Sequence, residues 1–527
     1  MAWPKPRLLS TVALLGAGAV WLARRELHYA PWMDDDAFIS FRYARHLAEG
    51  QGLTFNPGER VEGYTNFLWT LLAACAHRLG ADIPATARAL GVALSFGALP
   101  FLFVGARRRT VGVAAGAGLA CLPPLLLAVS ESWAAWAVSG LENVLGGCLV
   151  AAAFAAVFHG LESGRPSWFA LGGHGFALAT MTHPSYAVFA FACGVLLMVR
   201  ALRHRDTRSQ VIAFGGLFLA AYAPLEIWRL LYYGSPVPNT FYAKVGGTTD
   251  EVSRGFAYAR DMARAYPVSF AAMALLPLLL AARRVRAWGP WMVWAGVAGY
   301  LGYIILIGGE AFPVFRLSVV WMPLAALMTL WCIQLLAAWL GPRPVRTVAA
   351  GLAALAVVAA GATAIRNRTI RLHDAAIENR LFDIVRGAAL CLRAQLPADT
   401  YLAHSGAGML AYYTDFEFLD TLGLTDAHIA RSRVEGQGKG VAGHEKGDGW
   451  YVVSRQPSVV LFSGYPISSL RPHFKTDFEL AASPDFLENY RPQSLPCEIV
   501  VPGRGAPQIF RIEMFRRVSR STPSAGH

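Results

Sequence analysis

The chain has 527 residues, of which 55% are hydrophobic and only 15% charged, and its mean hydropathy is +0.39. This composition is outside the usual range of soluble domains and is typical of a membrane protein. The net charge is +13, but lysines and arginines occur in short clusters between apolar runs. Such clusters set membrane topology, and without a single basic face they exclude a nucleic-acid-binding protein.

Eleven apolar stretches predict a mainly α-helical, polytopic membrane domain over residues 1–365. A span needs about 20 apolar residues, with roughly 17 tolerated. The predicted spans lie near residues 8–24, 86–106, 111–129, 141–159, 168–182, 185–200, 211–229, 265–282, 287–307, 317–340 and 347–365. The apolar segment 64–79 is shorter and carries His77 and Arg78, so it is predicted to be a re-entrant or interfacial helix.

The distribution of basic loops predicts which loops share a face of the membrane. Short loops rich in lysine and arginine stay in the cytoplasm, and they lie at 107–109, 161–167, 200–208, 283–286 and 341–346. The opposite, outer face then receives an acidic cluster at 34–36 and the loops 131–143, 183–186, 232–245 and 308–316. All loops with polar motifs are therefore predicted to meet on one face.

Residues 366–527 are predicted to form a soluble α/β or α+β domain on the outer face. Short β-like runs such as TYLAH, SVVLF and CEIVV alternate there with helical patterns such as IENRLFDIVRGAALCLRAQL. Cys391 and Cys497 are the cysteines outside the apolar region, and they are candidates for a disulfide in an oxidising compartment.

Three consecutive acids, Asp34, Asp35 and Asp36, follow the first apolar stretch and precede the amphipathic sequence AFISFRYARHLAEG. One interpretation is a helix N-cap, for which aspartate is a preferred residue. A cap needs only one acid, however, and adjacent carboxylates repel, which can raise a pKa toward the range of a general base. A second interpretation is therefore that Asp35 and Asp36 are catalytic.

Further polar side chains of the same loops suit a phosphate and a sugar. Guanidinium, ammonium and imidazole groups can bind a phosphate, although each can also form an ion pair, extend to the membrane interface or play a structural role. Aromatic and amide groups suit sugar rings, but they are equally common at membrane interfaces. The phosphate candidates are Arg42, Lys244, Arg316 and His183, and the sugar candidates are Tyr64, Asn66, Glu142, Asn239, Tyr242 and Glu310.

Six blocks of the sequence occur in the order of the landmarks of one known family. They are DDAFISFRYARHLAEGQGLTFNPGERVEGYTNFLW, SGLEN, YYGSPVPNTFYAKV, GGEAFPVFR, LDTLGLTDAHIARSR and GHEKGD. In these blocks the chain resembles the bacterial arabinofuranosyltransferase family, also called flagellar-motor-control-protein-like. That family belongs to the polytopic glycosyltransferases of the GT-C fold.

The resemblance implies an inverting glycosyltransferase of the bacterial cytoplasmic (inner) membrane, with its active site and C-terminal domain in the periplasm. The enzyme would move a sugar, expected to be arabinofuranose, from a polyprenyl-phosphate donor to a glycan or glycoprotein acceptor. The family pattern aligns Asp35 and Asp36 with its paired acids, with Asp35 as the base and Asp34 as an extra residue. Lys244, with Arg42 or Arg316, would stabilise the departing phosphate. No cofactor is required, and a divalent metal is compatible with this chemistry but not implied.

Two departures from the family pattern leave the identity of the donor open. The family has an Arg-Pro-Glu-like element where this chain has His183-Pro184-Ser185, and an aspartate where it has Glu310. The alternatives are a polytopic transporter or flippase of lipid-linked sugars, and a non-catalytic membrane protein affecting flagellar motor function. A transporter would bury ionisable residues at mid-membrane, where the predicted spans have few.

Overall fold

The computed structural model describes residues 5–108, 117–338, 345–367, 370, 373–374, 377, 380–464 and 467–518. Helices dominate the described chain up to residue 367, as the apolar stretches predict. They are α1 (Lys5–Tyr29), α2 (Asp35–Ala48), α3 (Phe67–Arg78), α4 (Ile83–Arg108), α5 (Ala117–Ala120), α6 (Leu122–Ala128), α7 (Glu131–Val138), α8 (Asn143–Ser163), α9 (Pro166–Thr182), α10 (Ala187–Arg203), α11 (Arg208–Tyr233), α12 (Asn239–Lys244), α13 (Thr249–Ala265), α14 (Pro267–Ala282), α15 (Trp288–Leu306), α16 (Met322–Ala337) and α17 (Val345–Arg366). Short 3₁₀ segments lie at Pro184–Tyr186, Arg205–Thr207 and Pro313–Trp321.

Six helical segments of the described chain are long and apolar enough to cross a membrane. They are Ile83–Arg107, Asn143–Ser163, Pro184–Arg203, Arg205–Tyr233, Trp288–Leu306 and Pro313–Ala337. Two bent helix pairs, Gly118–Ala128 with Glu131–Val138 and Thr249–Ala265 with Pro267–Ala282, raise the count to eight if each is one span. The number of eleven spans, including the partly undescribed 111–129, stays a prediction.

Part of the segment 131–143, predicted as a loop, is helical. Helix α7 begins after Ser130, whose side chain accepts a hydrogen bond from the backbone N–H of Trp133 and so satisfies an otherwise unpaired donor of the first turn. All eight residues of α7 are buried. The apolar side chains of this segment therefore pack inside the protein as a short helix. Helix α3, with 12 residues, is too short to span a membrane, as predicted.

The described chain after residue 380, called here the C-terminal region, has mixed α/β structure, in agreement with the sequence pattern. Its helices are α18 (Leu381–Gln395), α19 (Met409–Thr414), α20 (Ala427–Arg431), α21 (Gly449–Ser454), α22 (Lys475–Ala482) and α23 (Pro484–Asn489). Its strands are β1 (Tyr401–His404), β2 (Glu417–Asp420), β3 (Val459–Val460), β4 (Phe462–Ser463), β5 (Ser468–Ser469), β6 (Tyr490–Ile499) and β7 (Gln508–Arg517).

Five of these strands form a mixed sheet in the order β2-β1-β3-β7-β6. Strand β1 pairs in parallel with β2 and β3, whereas β7 pairs antiparallel with β3 and β6. Cys391 of α18 and Cys497 of β6 form a disulfide, which confirms the predicted pairing. The bridge joins a helix to the edge of the sheet across 106 residues of sequence.

The C-terminal region and helix α2 share a hydrophobic core. Ile39 and Tyr43 of α2, with Phe55 of the following loop, are buried in one cluster with Leu410 and Phe418 of the C-terminal region. Burial of apolar surface is the main favourable contribution to such contacts. The shared core fixes the start of α2, and the acids there, against the loops that follow β1 and β2.

Candidate active site

Asp34, the first acid of the cluster, lies at the start of α2 as its N-cap. The carboxylate of Asp34 accepts a hydrogen bond from the N–H of Asp36 at 3.0 Å and caps the helix. Its own N–H donates to the carbonyl of Ser139 at 2.9 Å. Asp34 therefore has the capping role that the sequence allowed for one acid, and Asp35 and Asp36 occupy the first turn.

The carboxylate of Asp35 points to the N-terminus of α19, in the C-terminal region. It accepts hydrogen bonds from the N–H groups of Gly408 at 3.1 Å and Met409 at 2.8 Å. A Cβ at Gly408 would lie only 2.0 Å from the carbonyl oxygen of Asp35, so a glycine is needed at this contact. Asp35 is thereby held in one orientation by two backbone N–H groups that lie 373 and 374 residues further along the sequence.

Asp36 pairs with Lys244, the last residue of α12. The Nζ of Lys244 lies 3.4 Å from Oδ2 of Asp36, and both side chains remain partly exposed. The ammonium also lies 5.5 Å from the centre of the Phe312 ring. A cation–π contact of this kind stabilises a cation that is not fully neutralised by its carboxylate.

Arg316 supplies a second positive charge from the segment that follows α15. Its guanidinium forms a partly buried ion pair with Glu310 at 2.9 Å and stacks on Phe312, with 3.9 Å between Cζ and the ring centre. Glu310 also accepts a hydrogen bond from Tyr258 at 3.2 Å. The Phe312 ring therefore faces both Lys244 and Arg316. Phe312 lies in the quoted GGEAFPVFR block, but sequence reasoning did not single it out.

The backbone just before Arg316 is strained. Val314 and Phe315 have φ angles of 55° and 48°, in the left-handed region. This region is unfavourable for a β-branched residue such as valine, and residues in it cost about 1–3 kcal/mol each. Such strain persists where the surrounding structure imposes it, and here it accompanies the turn that presents Arg316.

One cavity of about 400 Å³ joins these residues. The predicted site residues that line it are Asp35, Asp36, Tyr64, Asn66, Glu142, His183, Lys244, Glu310 and Arg316, and Asp34 lines it too. Loops of the C-terminal region, including Gly443 and His444, complete its wall. The structure thus brings most of the predicted residues to one pocket.

Burial changes the protonation of groups that line the cavity. Desolvation is the largest effect on Asp35 and raises its pKa to about 6, although the hydrogen bonds from Met409 and Gly408 act in the opposite direction. The pKa of Asp34 is also raised well above its usual value, by burial and then by the charge of Asp36. Asp35 therefore has the pKa expected of a general base near neutral pH.

His183 is held neutral. Burial, followed by the positive charges of Arg316 and Lys244, lowers its pKa to about 3. Its Nδ1 accepts a hydrogen bond from the N–H of Ser185 at 3.3 Å, which leaves the proton on Nε2. His183 can therefore donate one hydrogen bond to an anion but adds no charge.

Three of the proposed sugar-binding residues are fixed by hydrogen bonds at the cavity wall. Asn66 donates to Glu142 at 2.7 Å, and Tyr64 lies 3.3 Å from the hydroxyl of Tyr233. Burial raises the pKa of Glu142, and the bond from Asn66 opposes this shift. Asn66 and Glu142 thus hold each other in place, and both line the cavity.

Three predicted residues do not line the cavity: Arg42, Asn239 and Tyr242. Arg42 is fully buried and donates to the carbonyls of Phe55 and Phe416, both at 2.8 Å, so it holds α2 against the C-terminal region. Asn239 donates to carbonyls at 423, 424 and 426. The ring of Tyr242 packs under the guanidinium of Arg431. Their positions are those of structural residues.

Comparison with known proteins matches part of the sequence to two curated relatives. A family described as a domain of unknown function (DUF8728) matches residues 368–504. The terminal beta-(1->2)-arabinofuranosyltransferase of Mycobacterium tuberculosis is 29% identical over 293 residues, which are 52% of this chain and 44% of that protein. The protein of the same name from Corynebacterium glutamicum is 29% identical over 286 residues, 49% of this chain and 39% of its own. The match thus spans less than half of either relative.

Solved structures match over a larger share of the chain. ArnT from Cupriavidus metallidurans bound to undecaprenyl phosphate aligns with a TM-score of 0.57 and 14% identity, covering 97% of this chain and 99% of that one. An oligosaccharyltransferase from Archaeoglobus fulgidus aligns with a TM-score of 0.51 and 11% identity, covering 78% and 64%. The chain therefore has the fold of the GT-C glycosyltransferases, and its resemblance to the arabinofuranosyltransferase family is confirmed by curated relatives of that name.

Proposed function

We propose that this protein is an inverting glycosyltransferase that moves arabinofuranose from a polyprenyl-phosphate donor to a glycan or glycoprotein acceptor. The observation that carries the proposal is the single cavity in which Asp35 and Asp36 lie with Lys244 and Arg316. The names of the two curated relatives support the choice of arabinofuranose. The disulfide supports placing the C-terminal region in the oxidising periplasm of a bacterium.

The reaction is a single displacement in which Asp35 is the base. The acceptor hydroxyl transfers its proton to the Asp35 carboxylate while its oxygen forms a bond to the anomeric carbon. The bond from the anomeric carbon to the phosphate oxygen breaks, and its electron pair stays on the phosphate. The hydrogen bonds from Gly408 and Met409 orient Asp35 for this role.

Lys244 and Arg316 stabilise the phosphate as negative charge develops on it. Both cations lie over the ring of Phe312. Each also has a carboxylate partner, Asp36 for Lys244 and Glu310 for Arg316, that holds it when no phosphate is bound. The neutral His183 donates a hydrogen bond from Nε2. Among the described residues, no group of three or more His, Cys, Asp and Glu side chains is arranged to hold a metal ion. The two side-chain cations supply the positive charge that this mechanism uses.

The test is transfer of radiolabelled arabinofuranose from polyprenyl phosphate to a synthetic octyl arabinofuranoside by purified protein. Because general-base assistance is worth about 10²–10⁴-fold, we expect Asp35→Asn to reduce the transfer rate by that factor. Exposed Asp399 does not line the cavity, so Asp399→Asn is the matched control and should transfer at the wild-type rate.

The outcome separates the enzyme from its alternatives. Wild-type rates from Asp35→Asn would contradict the role of this carboxylate. A flippase would instead carry the labelled lipid across a vesicle membrane with the sugar still attached. A non-catalytic protein would leave the labelled donor unchanged with every acceptor.

A further inference from the structure

A second cavity of about 250 Å³ lies next to the first. Asp35 and Gly406 line both cavities, whereas Lys244, Arg316 and His183 are not among the described residues that line the second. Its wall contains two aromatic side chains, Trp32 and Phe382, and the imidazole of His404. The base of the proposed reaction therefore faces a space separate from the phosphate-binding cations.

Inversion requires an acceptor to approach from the side away from the leaving group. The phosphate is stabilised by Lys244 and Arg316, which line the first cavity, so the attacking hydroxyl must reach Asp35 from elsewhere. The second cavity offers such an approach. Aromatic faces with a few polar groups are also the composition expected of a ligand-binding pocket.

His404, the last residue of β1, presents an unused hydrogen-bond acceptor near Asp35. Its Nδ1 lies 3.0 Å from the carbonyl oxygen of Leu461, and a carbonyl can only accept, so Nδ1 carries the proton. Burial lowers the pKa of His404 to about 4, so the ring is neutral and Nε2 has a free lone pair. Nε2 has no hydrogen-bond partner among the described residues.

The absence of a side chain at Gly406 leaves space between Asp35 and His404. A Cβ built on Gly406 would lie 3.3 Å from Nε2 of His404 and 3.9 Å from Oδ2 of Asp35. A small group at this point therefore contacts both side chains. Two adjacent hydroxyls of one sugar ring match this arrangement, because one can donate to the carboxylate and the other to the imidazole.

We propose that the second cavity is the acceptor-sugar site and that His404 selects a terminal ring with two adjacent hydroxyls. Asp35 takes the proton of the attacking hydroxyl, and Nε2 of His404 accepts a hydrogen bond from the neighbouring hydroxyl. This inference rests on the proposed function, because it names the feature of the acceptor sugar that is recognised beside the proposed base, Asp35. His404 binds the acceptor and takes no part in breaking the donor bond.

The test compares octyl arabinofuranosyl disaccharides that each lack one hydroxyl of the terminal ring, using direct binding to the purified protein without donor. One hydrogen bond is worth about 3- to 10-fold in affinity. The wild type should therefore bind two deoxy analogues that much more weakly than the parent sugar: the one lacking the hydroxyl at Asp35 and the one lacking the hydroxyl at His404. His404→Asn keeps an N–H near the position of Nδ1 and removes the acceptor at Nε2. This variant should bind the analogue lacking the His404-contacting hydroxyl as well as it binds the parent sugar, and should still bind the analogue lacking the Asp35-contacting hydroxyl more weakly.

Two further variants keep the result specific. His404→Gln places an oxygen acceptor near the position of Nε2 and should restore part of the discrimination. Gly406→Ala should weaken binding of parent and deoxy sugars alike, because its methyl group fills the space between Asp35 and His404. The affinity for undecaprenyl phosphate, measured in parallel, should change less than twofold in His404→Asn.

The failure of this inference is distinct from failure of the proposed function. Equal discrimination by wild type and His404→Asn, or no binding of the disaccharide to the wild type, would overturn the acceptor site. If the wild type transfers no sugar but binds the deoxy analogues more weakly as expected, the proposed function is overturned and a carbohydrate-binding site at His404 remains.

Discussion

At the scale of single residues, three adjacent carboxylates have three different roles because each has different neighbours. Asp34 caps α2, Asp35 accepts hydrogen bonds from the C-terminal region, and Asp36 pairs with Lys244. The sequence allowed both the cap and the catalytic interpretation of the cluster. The structure shows the cap at Asp34, and the catalytic interpretation of Asp35 and Asp36 stays a proposal.

The raised pKa of Asp35 predicts how transfer depends on pH. Burial raises its pKa to about 6, so below this pH the carboxyl is protonated and cannot accept the proton of the acceptor. We expect kcat/KM to be constant above about pH 7 and to fall about tenfold per unit well below the pKa. The measurement is the initial rate of transfer between about pH 5 and 8.

The residual activity of Asp35→Asn serves as the control for this profile, because asparagine does not titrate. Its rate should lack the inflection near pH 6. A wild-type profile that stays flat through this range would show that Asp35 does not titrate in the step measured.

At the scale of elements, close helix packing depends on small residues, as is typical of membrane helices. Helices α9 and α11 make extensive contact, and a Cβ at Gly173 of α9 would lie only 2.0 Å from the carbonyl oxygen of Phe214 in α11. The two backbones therefore touch at this point. Neither hydropathy nor charge predicts which pairs of spans approach so closely.

We expect Gly173→Ala to separate α9 from α11 and to destabilise the protein by about 1–3 kcal/mol, the usual cost of overpacking. Gly216→Ala in α11 is the matched control, since a Cβ there meets nothing within 4 Å. That control should be neutral or slightly stabilising, because alanine favours a helix over glycine by about 1 kcal/mol. Thermal unfolding in detergent measures the melting temperature of both variants. Equal melting temperatures for the two variants would contradict the contact.

At the scale of the whole molecule, the cavity joins the helical region to the C-terminal region. Its wall contains Lys244 and Arg316 of the helical region and Gly443 and His444 of the C-terminal region, so neither region completes the cavity alone. The C-terminal region is expected to lie on the same side of the membrane as the cavity. The positive-inside rule predicts that this side is the periplasm.

Cysteine labelling tests this orientation. In a Cys75→Ser background, which removes an exposed free thiol, we expect Ser454→Cys to react with a membrane-impermeant maleimide in spheroplasts. Arg205→Cys, exposed in the basic loop 200–208, should react only after the cells are lysed. The reverse pattern would invert the topology and place the C-terminal region in the cytoplasm.

The amino-acid sequence alone was enough to predict the membrane class, most of the long helices, the α/β character of the C-terminal region and the disulfide partners. The first three properties follow from hydropathy, charge and residue type within short stretches of sequence, and the disulfide partners follow because Cys391 and Cys497 are the cysteines outside the apolar region. The three-dimensional packing was needed to establish that Arg42 and Asn239 hold segments together, that Phe312 faces both cations and that His404 lies near Asp35. Those roles depend on which backbone groups meet across several hundred residues, and a contact such as Asp35 with Met409 leaves no local pattern in either segment.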